Sequence, residues 1–347
     1  MPNKPNKPTS LDIAQQAQVS QATVSRALRD SPLVKPETRA RIQQIAQNLH
    51  YRTDHNAAGL RTRRSRTLAL LLFEESSEDS QINPFFLTML AHITETAARR
   101  GFDLLVSFQQ LSDDWHGDYE VSNRADGLIL LGYGDYLSYA DRLQRLTETG
   151  AHFVIWGPVI EELPGHYLSC DNIRGARLAT EHLLALGRRK IAFAGGASEH
   201  CPEFQQRYSA YAQALRNAGY EPDDRLQADA QSQESHGYGA GMRLVDSGVQ
   251  FDAVFAASDL IALGVIRALQ DRGVAVPRDV AVVGFDDLPA ASYCNPRLTT
   301  VRQDTRLAGE LLVDNLIKLI ADEPVQSTLI APELIVRASC GSQLRVL

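Results

Sequence analysis

The stretch "SLDIAQQAQVSQATVSRALRD", Ser10 to Asp30, reads as two short helices joined by a tight turn. In the first, Leu11, Ile13, Ala14 and Ala17 supply a small apolar face, and Val19 falls in the turn. Ser20 is placed to N-cap the second helix, because a hydroxyl there can accept from a first-turn N–H that has no partner within the helix. Val24, Ala27 and Leu28 then recur at i, i+3, i+4 and face the first helix. The remaining positions, Gln21, Ala22, Ser25, Arg26 and Arg29, form one exposed stripe at helical period. A third helix starts at Pro36, followed by Ile42, Ile45, Ala46 and Leu49 on one face. Three small helices with a Gln/Ser/Arg stripe imply a helix-turn-helix head whose second helix enters the major groove, where Arg suits guanine and Gln suits adenine. The alternative is a three-helix bundle that binds protein.

The charge supports the first reading. The chain's net −7 hides 12 Lys and Arg against 4 Asp and Glu in residues 1 to 66, and 23 against 38 in residues 67 to 347. A basic head on an acidic body suits polyanion binding, since neutralising phosphates releases condensed counterions. With 347 residues, 44% hydrophobic and 22% charged, there is room for two or three ordinary globular domains. No apolar run approaches ~18 residues, so no membrane helix is expected. "MPNKPNKPTS" lacks the apolar core of a signal peptide. Cys170, Cys201, Cys294 and Cys340 are far apart without a CxxC pair, which argues against a disulfide scaffold or structural zinc and points to the cytoplasm. No cofactor is expected.

From Thr67 onward, apolar runs alternate with amphipathic stretches: "TLALLLF", "FDLLVSF", "ADGLILL" and "HFVIW", then "HYLSC", "KIAFAGG", "DAVFAAS" and "VAVVGF". The fold class is therefore α/β, an all-α helix-turn-helix head plus a body of two parallel-sheet α/β subdomains. The expected divisions are a head over 1–52, a hinge or linker over 53–66 and a body over 67–347. The body's first half would take 67–167 and 299–322, its second half 168–298 and 323–347. In such sheets ligands sit beyond the carboxyl ends of the strands.

Asp259 follows "DAVFAAS", either as a helix N-cap or as a ligand contact. Arg207 opens the helix "YSAYAQALRNAG", where the dipole disfavours a cation, so a task other than local stability is implied. A guanidinium and a carboxylate facing one another can hold vicinal hydroxyls, which a sugar offers. Trp156, ending "HFVIW", and Phe85, in "INPFF", are either core residues or flat surfaces for a pyranose ring. Gln303 is a further cleft candidate, and Asp171 reads as a structural residue at a crossover. Enzyme motifs are missing: no HExxH, GxSxG or GxxxxGK[ST] occurs, "GYGAG" at 237–241 lacks the GxGxxG spacing, and the adjacent Asp286 and Asp287 would point in different directions.

The opening stretch, together with "VKPETRARIQQIAQNLHY", "NPFF", "DNIRGARLATEHLLALGRRKIAF" and "SDLIALGVIRALQDRGVAVPRDVAVVGFDD", closely resembles the LacI/GalR family of transcriptional regulators, in collinear order from about residue 9 to 306. The resemblance implies a periplasmic-binding-protein-like body and a homodimeric repressor on a near-palindromic DNA operator, released by a sugar-type inducer. A non-sugar effector or corepressor, such as a nucleobase, is one alternative, and a sugar-binding protein or enzyme without a DNA role is a more remote one. Gln21, Ala22 and Arg26 match base-reading positions, with Arg29 close by, and Ser20, Thr23 and Ser25 match positions that hold phosphates. Asn56, Ala57 and Leu60 match the hinge helix, Leu60 as the wedge that opens the central base step. The hinge departs from the family at Thr53 and Asp54, where Pro-Asn is usual, and at Gly59. Arg207 and Asp259 match effector-gripping positions. Gly157 replaces a polar contact of the lactose-type members, so a different ligand is expected. The C-terminus carries no leucine heptads, which favours a dimer over a tetramer.

Overall fold

The computed structural model describes residues 8–51, 64–73, 82–132, 140–159, 164–198 and 200–342. It contains two compact units, Met1–Ser65 and Arg66–Leu347. In the first, α1 (Ser10–Ala17) opens on a reciprocal cap: Asp12 N–H reaches the Thr9 hydroxyl, and Thr9 N–H reaches the Asp12 carboxylate at 2.7 Å. That backbone donor, then the Thr9 hydroxyl, hold the Asp12 carboxyl below the usual range. Gln18 turns the chain in the left-handed region at φ 50°. Ser20 then caps α2 (Gln21–Ala27) by accepting from Thr23 N–H, and α3 (Pro36–Asn48) begins on its proline. Ile13, Ala17, Val24, Ala27 and Ile42 close the core. Leu11, expected on the apolar face, is 61% exposed instead: α1 is only eight residues long, and its buried stripe is filled by Ile13, Ala14 and Ala17.

The second unit holds two six-stranded sheets. The first contains β1 (Thr67–Leu72), β2 (Asp103–Phe108), β3 (Leu128–Leu131), β4 (Phe153–Trp156) and β5 (Tyr167–Cys170). The second contains β6 (Ile191–Ala194), β7 (Gln227–Ala228), β8 (Ala253–Ala256), β9 (Ala281–Asp286) and β10 (Thr299–Arg302). Each is completed by a late strand, β11 (Thr328–Ile330) beside β5 and β12 (Glu333–Ile335) beside β10. Among the described residues, all pairings are parallel except β10 with β12. In the first sheet the order is β11-β5-β4-β3-β1-β2, and in the second β12-β10-β9-β8-β6-β7. Both reverse direction next to their first strand, the switch point at which open α/β sheets form a crevice.

Helices α4 (Pro84–Arg99), α5 (Ala140–Glu148), α6 (Asn172–Ala185), α7 (Pro202–Asn217), α8 (Glu234–Asp246), α9 (Asp259–Asp271), α10 (Pro289–Tyr293) and α11 (Thr305–Ile320) cover the sheets. Three expected half-boundaries are corrected by strand pairing. Residues 168–170 stay in the first sheet as part of β5, residues 299–302 belong to the second sheet as β10, and 328–330 return to the first as β11. The chain therefore crosses between halves at 170–172, 302–305 and 330–333, and α11 packs on α4 in the first half.

The "GYGAG" cluster lies within α8. A Cβ at Gly237 would sit 2.3 Å from the Ile261 carbonyl oxygen, and one at Gly264 2.1 Å from that of Glu234. Gly237 and Gly264 let α8 and α9 touch backbone to backbone.

Candidate functional site

On the head, α2 presents the expected stripe. Ser20, Gln21, Ala22, Arg26 and Arg29 are exposed, while Thr23 and Ser25 are half-buried at its edge. Gln21 Nε2 donates to Ser10 Oγ at 2.8 Å, which ties α2 to the start of α1. Arg29 folds back on Ser25, with Nε 3.0 Å from the carbonyl and Nη2 3.1 Å from the hydroxyl. The side chain of Arg26 is exposed and has no hydrogen-bond or ion-pair partner among the described residues. Asn56, Ala57 and Leu60 lie outside the described residues.

In the body, the carboxyl end of β9 meets Arg207. This residue lies in the second turn of α7, which begins at Pro202, so the helix-start argument does not apply to it. Its guanidinium is 1% exposed. Nε donates to Asn172 Oδ1 at 2.8 Å and Nη1 to the Ala257 carbonyl at 2.5 Å. Its plane stacks on Phe285, with Cζ 3.7 Å from the ring centroid, and Nη1 is 3.9 Å from Asp286 Oδ1. An arginine so enclosed is fixed in place by hydrogen bonds and by the ring face.

Asp286 ends β9 at φ +122° and Asp287 follows at φ +57°. Backbone of this kind in non-glycine residues is costly and concentrates at functional sites. Gln303, just past β10, donates Nε2 to Asp286 Oδ1 at 2.6 Å. A cleft of about 260 Å³ opens beside this pair, bounded by Phe85 and Thr88 of α4 and by Asp287, Leu288 and Arg302. At its mouth Arg337 pairs with Asp287 at 2.6 Å, and Arg302 pairs with Glu333. The cleft thus joins an acidic, hydrogen-bonding pole to an aromatic wall, the combination that holds ring hydroxyls on one side and a C–H face on the other.

Two sequence expectations need correction. Asp259 is fully buried, and both carboxylate oxygens are occupied, one by Leu288 N–H at 2.7 Å and the other by the Thr300 hydroxyl at 2.5 Å. It is neither the N-cap of α9, a task performed by Ser258, nor part of the cleft wall. Burial, and then the charge of Asp286, push its carboxyl well above the usual carboxylate range. Trp156 is 4% exposed and packs behind Phe85, with ring centroids 6.1 Å apart, so it supports the aromatic wall without lining this cleft. Phe85 and Gln303 line this cleft, and Arg207 lies behind it, 3.9 Å from Asp286.

Residues 9–54 match the family model for "Bacterial regulatory proteins, lacI family", and residues 180–340 match "Periplasmic binding protein-like domain". The chain is also 33% identical over 340 residues to the HTH-type transcriptional regulator CelR of Thermobifida fusca, spanning 96% of this chain and 98% of the relative. The chain belongs to the lacI family of bacterial regulatory proteins. Among solved structures, this LacI-family chain is similar to a transcriptional regulator CelR–cellobiose complex, with a TM-score of 0.71 and 32% identity, covering 96% of this chain and 99% of that one. It also shares its fold with the lac repressor dimer bound to operator and an anti-inducer, with a TM-score of 0.82 at 24% identity, covering 96% and 99%. The relatives are transcriptional regulators, not enzymes, in keeping with the missing catalytic motifs.

Two residues around the cleft of this LacI-family chain, one in its wall and one behind it, escaped the sequence reading. Asn172, the acceptor that aims Arg207, sits one residue after Asp171, which caps α6 through Arg174 N–H as a structural residue should. Asp286 was visible only as half of an acidic doublet. The doublet's expected divergence is real: Asp286 turns toward Gln303 and Asp287 toward Arg337.

Proposed function

We propose that this LacI-family regulator is a homodimeric, cytoplasmic repressor of carbohydrate-utilisation genes, released from a palindromic operator by a neutral sugar. The observation that carries the reading is the Asp286–Gln303 pair, which lines a cleft with Phe85 and is backed by the buried Arg207. A carboxylate accepts hydrogen bonds from two adjacent hydroxyls, and the buried guanidinium behind Asp286 holds that carboxylate in place. The two cations at the mouth, Arg302 and Arg337, already hold Glu333 and Asp287, which favours an uncharged ligand over a phosphorylated one. The ligand complex of the CelR relative makes cellobiose the first sugar to try.

Selecting the full chain's preferred sequence from random duplexes, then titrating cellobiose and other neutral saccharides against that complex, tests the function. Release of DNA by one of them supports it, and indifference to every neutral saccharide removes it. On the head, Arg26→Ala is expected to cost about 1–3 kcal/mol on the selected duplex and to relax preference at one base pair per half-site. Equal losses on selected and random duplexes would assign Arg26 to phosphate instead.

A further inference from the structure

Ser232 lies between β7 and α8, outside the effector pole, and its hydroxyl connects the two halves. Asn83 Nδ2, from the first half, donates to Ser232 Oγ at 3.0 Å, and Ser232 Oγ donates to Ser258 Oγ at 2.9 Å. Both outer partners are helix caps. Asn83 Oδ1 accepts from Phe85 N–H at 2.9 Å to cap α4, a bond that also fixes which way the amide faces. Ser258 Oγ accepts from Ile261 N–H at 3.4 Å to cap α9. One hydroxyl thus strings the start of α4, which carries Phe85 and Thr88 of the cleft wall, to the start of α9 in the second half.

We propose that Ser232 is a positioning residue, a cross-cleft latch that favours the closed arrangement in which the effector is gripped. Asn83 and Ser232 belong to opposite halves, so their bond exists only when the walls have approached to hydrogen-bond reach. Hinge closure of two such halves is what encloses a ligand between them. The relay is directional, N–H to O–H to O, so each bond polarises the next. Its loss removes stabilisation from the closed arrangement alone and leaves both caps intact.

This inference rests on the cleft being the effector site, and Asp286→Asn controls for that. In the full chain, Ser232→Ala is expected to raise the half-saturating concentration of cellobiose about threefold to tenfold, the span of one neutral hydrogen bond. Ser232→Thr, which keeps the hydroxyl, restores it. Without sugar, amide hydrogen exchange over residues 83–88 and 230–236 quickens in Ser232→Ala and returns to the parent rate in Ser232→Thr. Unchanged exchange, or a lower cellobiose midpoint in Ser232→Ala, overturns the latch, whatever Asp286→Asn does. Parent-like cellobiose binding by Asp286→Asn strikes instead at the effector site.

Discussion

Asp286→Asn is expected to weaken the sugar response about a hundredfold or more while leaving operator affinity near the parent value. Asparagine has the size and shape of aspartate, and its amide oxygen can still accept from Gln303 Nε2, so the packing around the pole is retained. What is lost is the charge that, on the proposed function, accepts from two sugar hydroxyls. Hydrogen bonds to a charged group are worth roughly 1.5–3 kcal/mol each, and two of them exceed a factor of one hundred. Calorimetric titration of the saccharide, beside operator binding by fluorescence anisotropy, reads the two quantities separately. A parent-like sugar affinity would move the pole away from Asp286.

Asp259→Ala should do the reverse, destabilising the body by about 3–5 kcal/mol in urea unfolding. The substitution strands the Leu288 N–H and the Thr300 hydroxyl in a dry interior and leaves a cavity beside Gly284. A pH signature accompanies it. The folded state holds the Asp259 proton to higher pH than the unfolded chain, whose carboxyl titrates near 3.8. Between those two values the folded state binds more protons, so this group's contribution to stability declines as pH rises. Asp259→Asn, which does not titrate, should lack that decline. Equal pH slopes for parent and Asp259→Asn, or a loss under about 1 kcal/mol for Asp259→Ala, would return Asp259 to the list of ligand candidates.

The contrast between these two acids marks where the sequence stops being legible. The head and the strands were readable because local signals agree there: Ser20 caps, Val24 and Ala27 face inward, and each apolar run is short enough to be a strand. Asp259 and Asp286 both stand at a strand's carboxyl end, and nothing local says which one meets the cleft. Asp259 is captured by Leu288 and Thr300, partners 29 and 41 residues away. Asp286 is turned by an unusual backbone angle that its neighbours in sequence do not announce. The strand exchange has the same cause. Which sheet "TTVR" and "TLI" join depends on pairing with β9 and β5, and side-chain alternation is blind to that. Asn172 was hidden for a simpler reason: next to a capping Asp171, it looked like part of the same turn.

The coupling of the two sites is the centre of the account. Allosteric coupling is typically about 1–3 kcal/mol and is reciprocal, so whatever factor the sugar imposes on DNA, DNA imposes on the sugar. The most direct test is to titrate the releasing saccharide against the full chain twice, once alone and once saturated with the selected operator duplex. The account predicts weaker sugar binding in the presence of operator, by the same factor that the sugar weakens DNA. Tighter binding in the presence of operator would make the sugar a corepressor, and identical curves would leave the cleft uncoupled from the head; either result contradicts it.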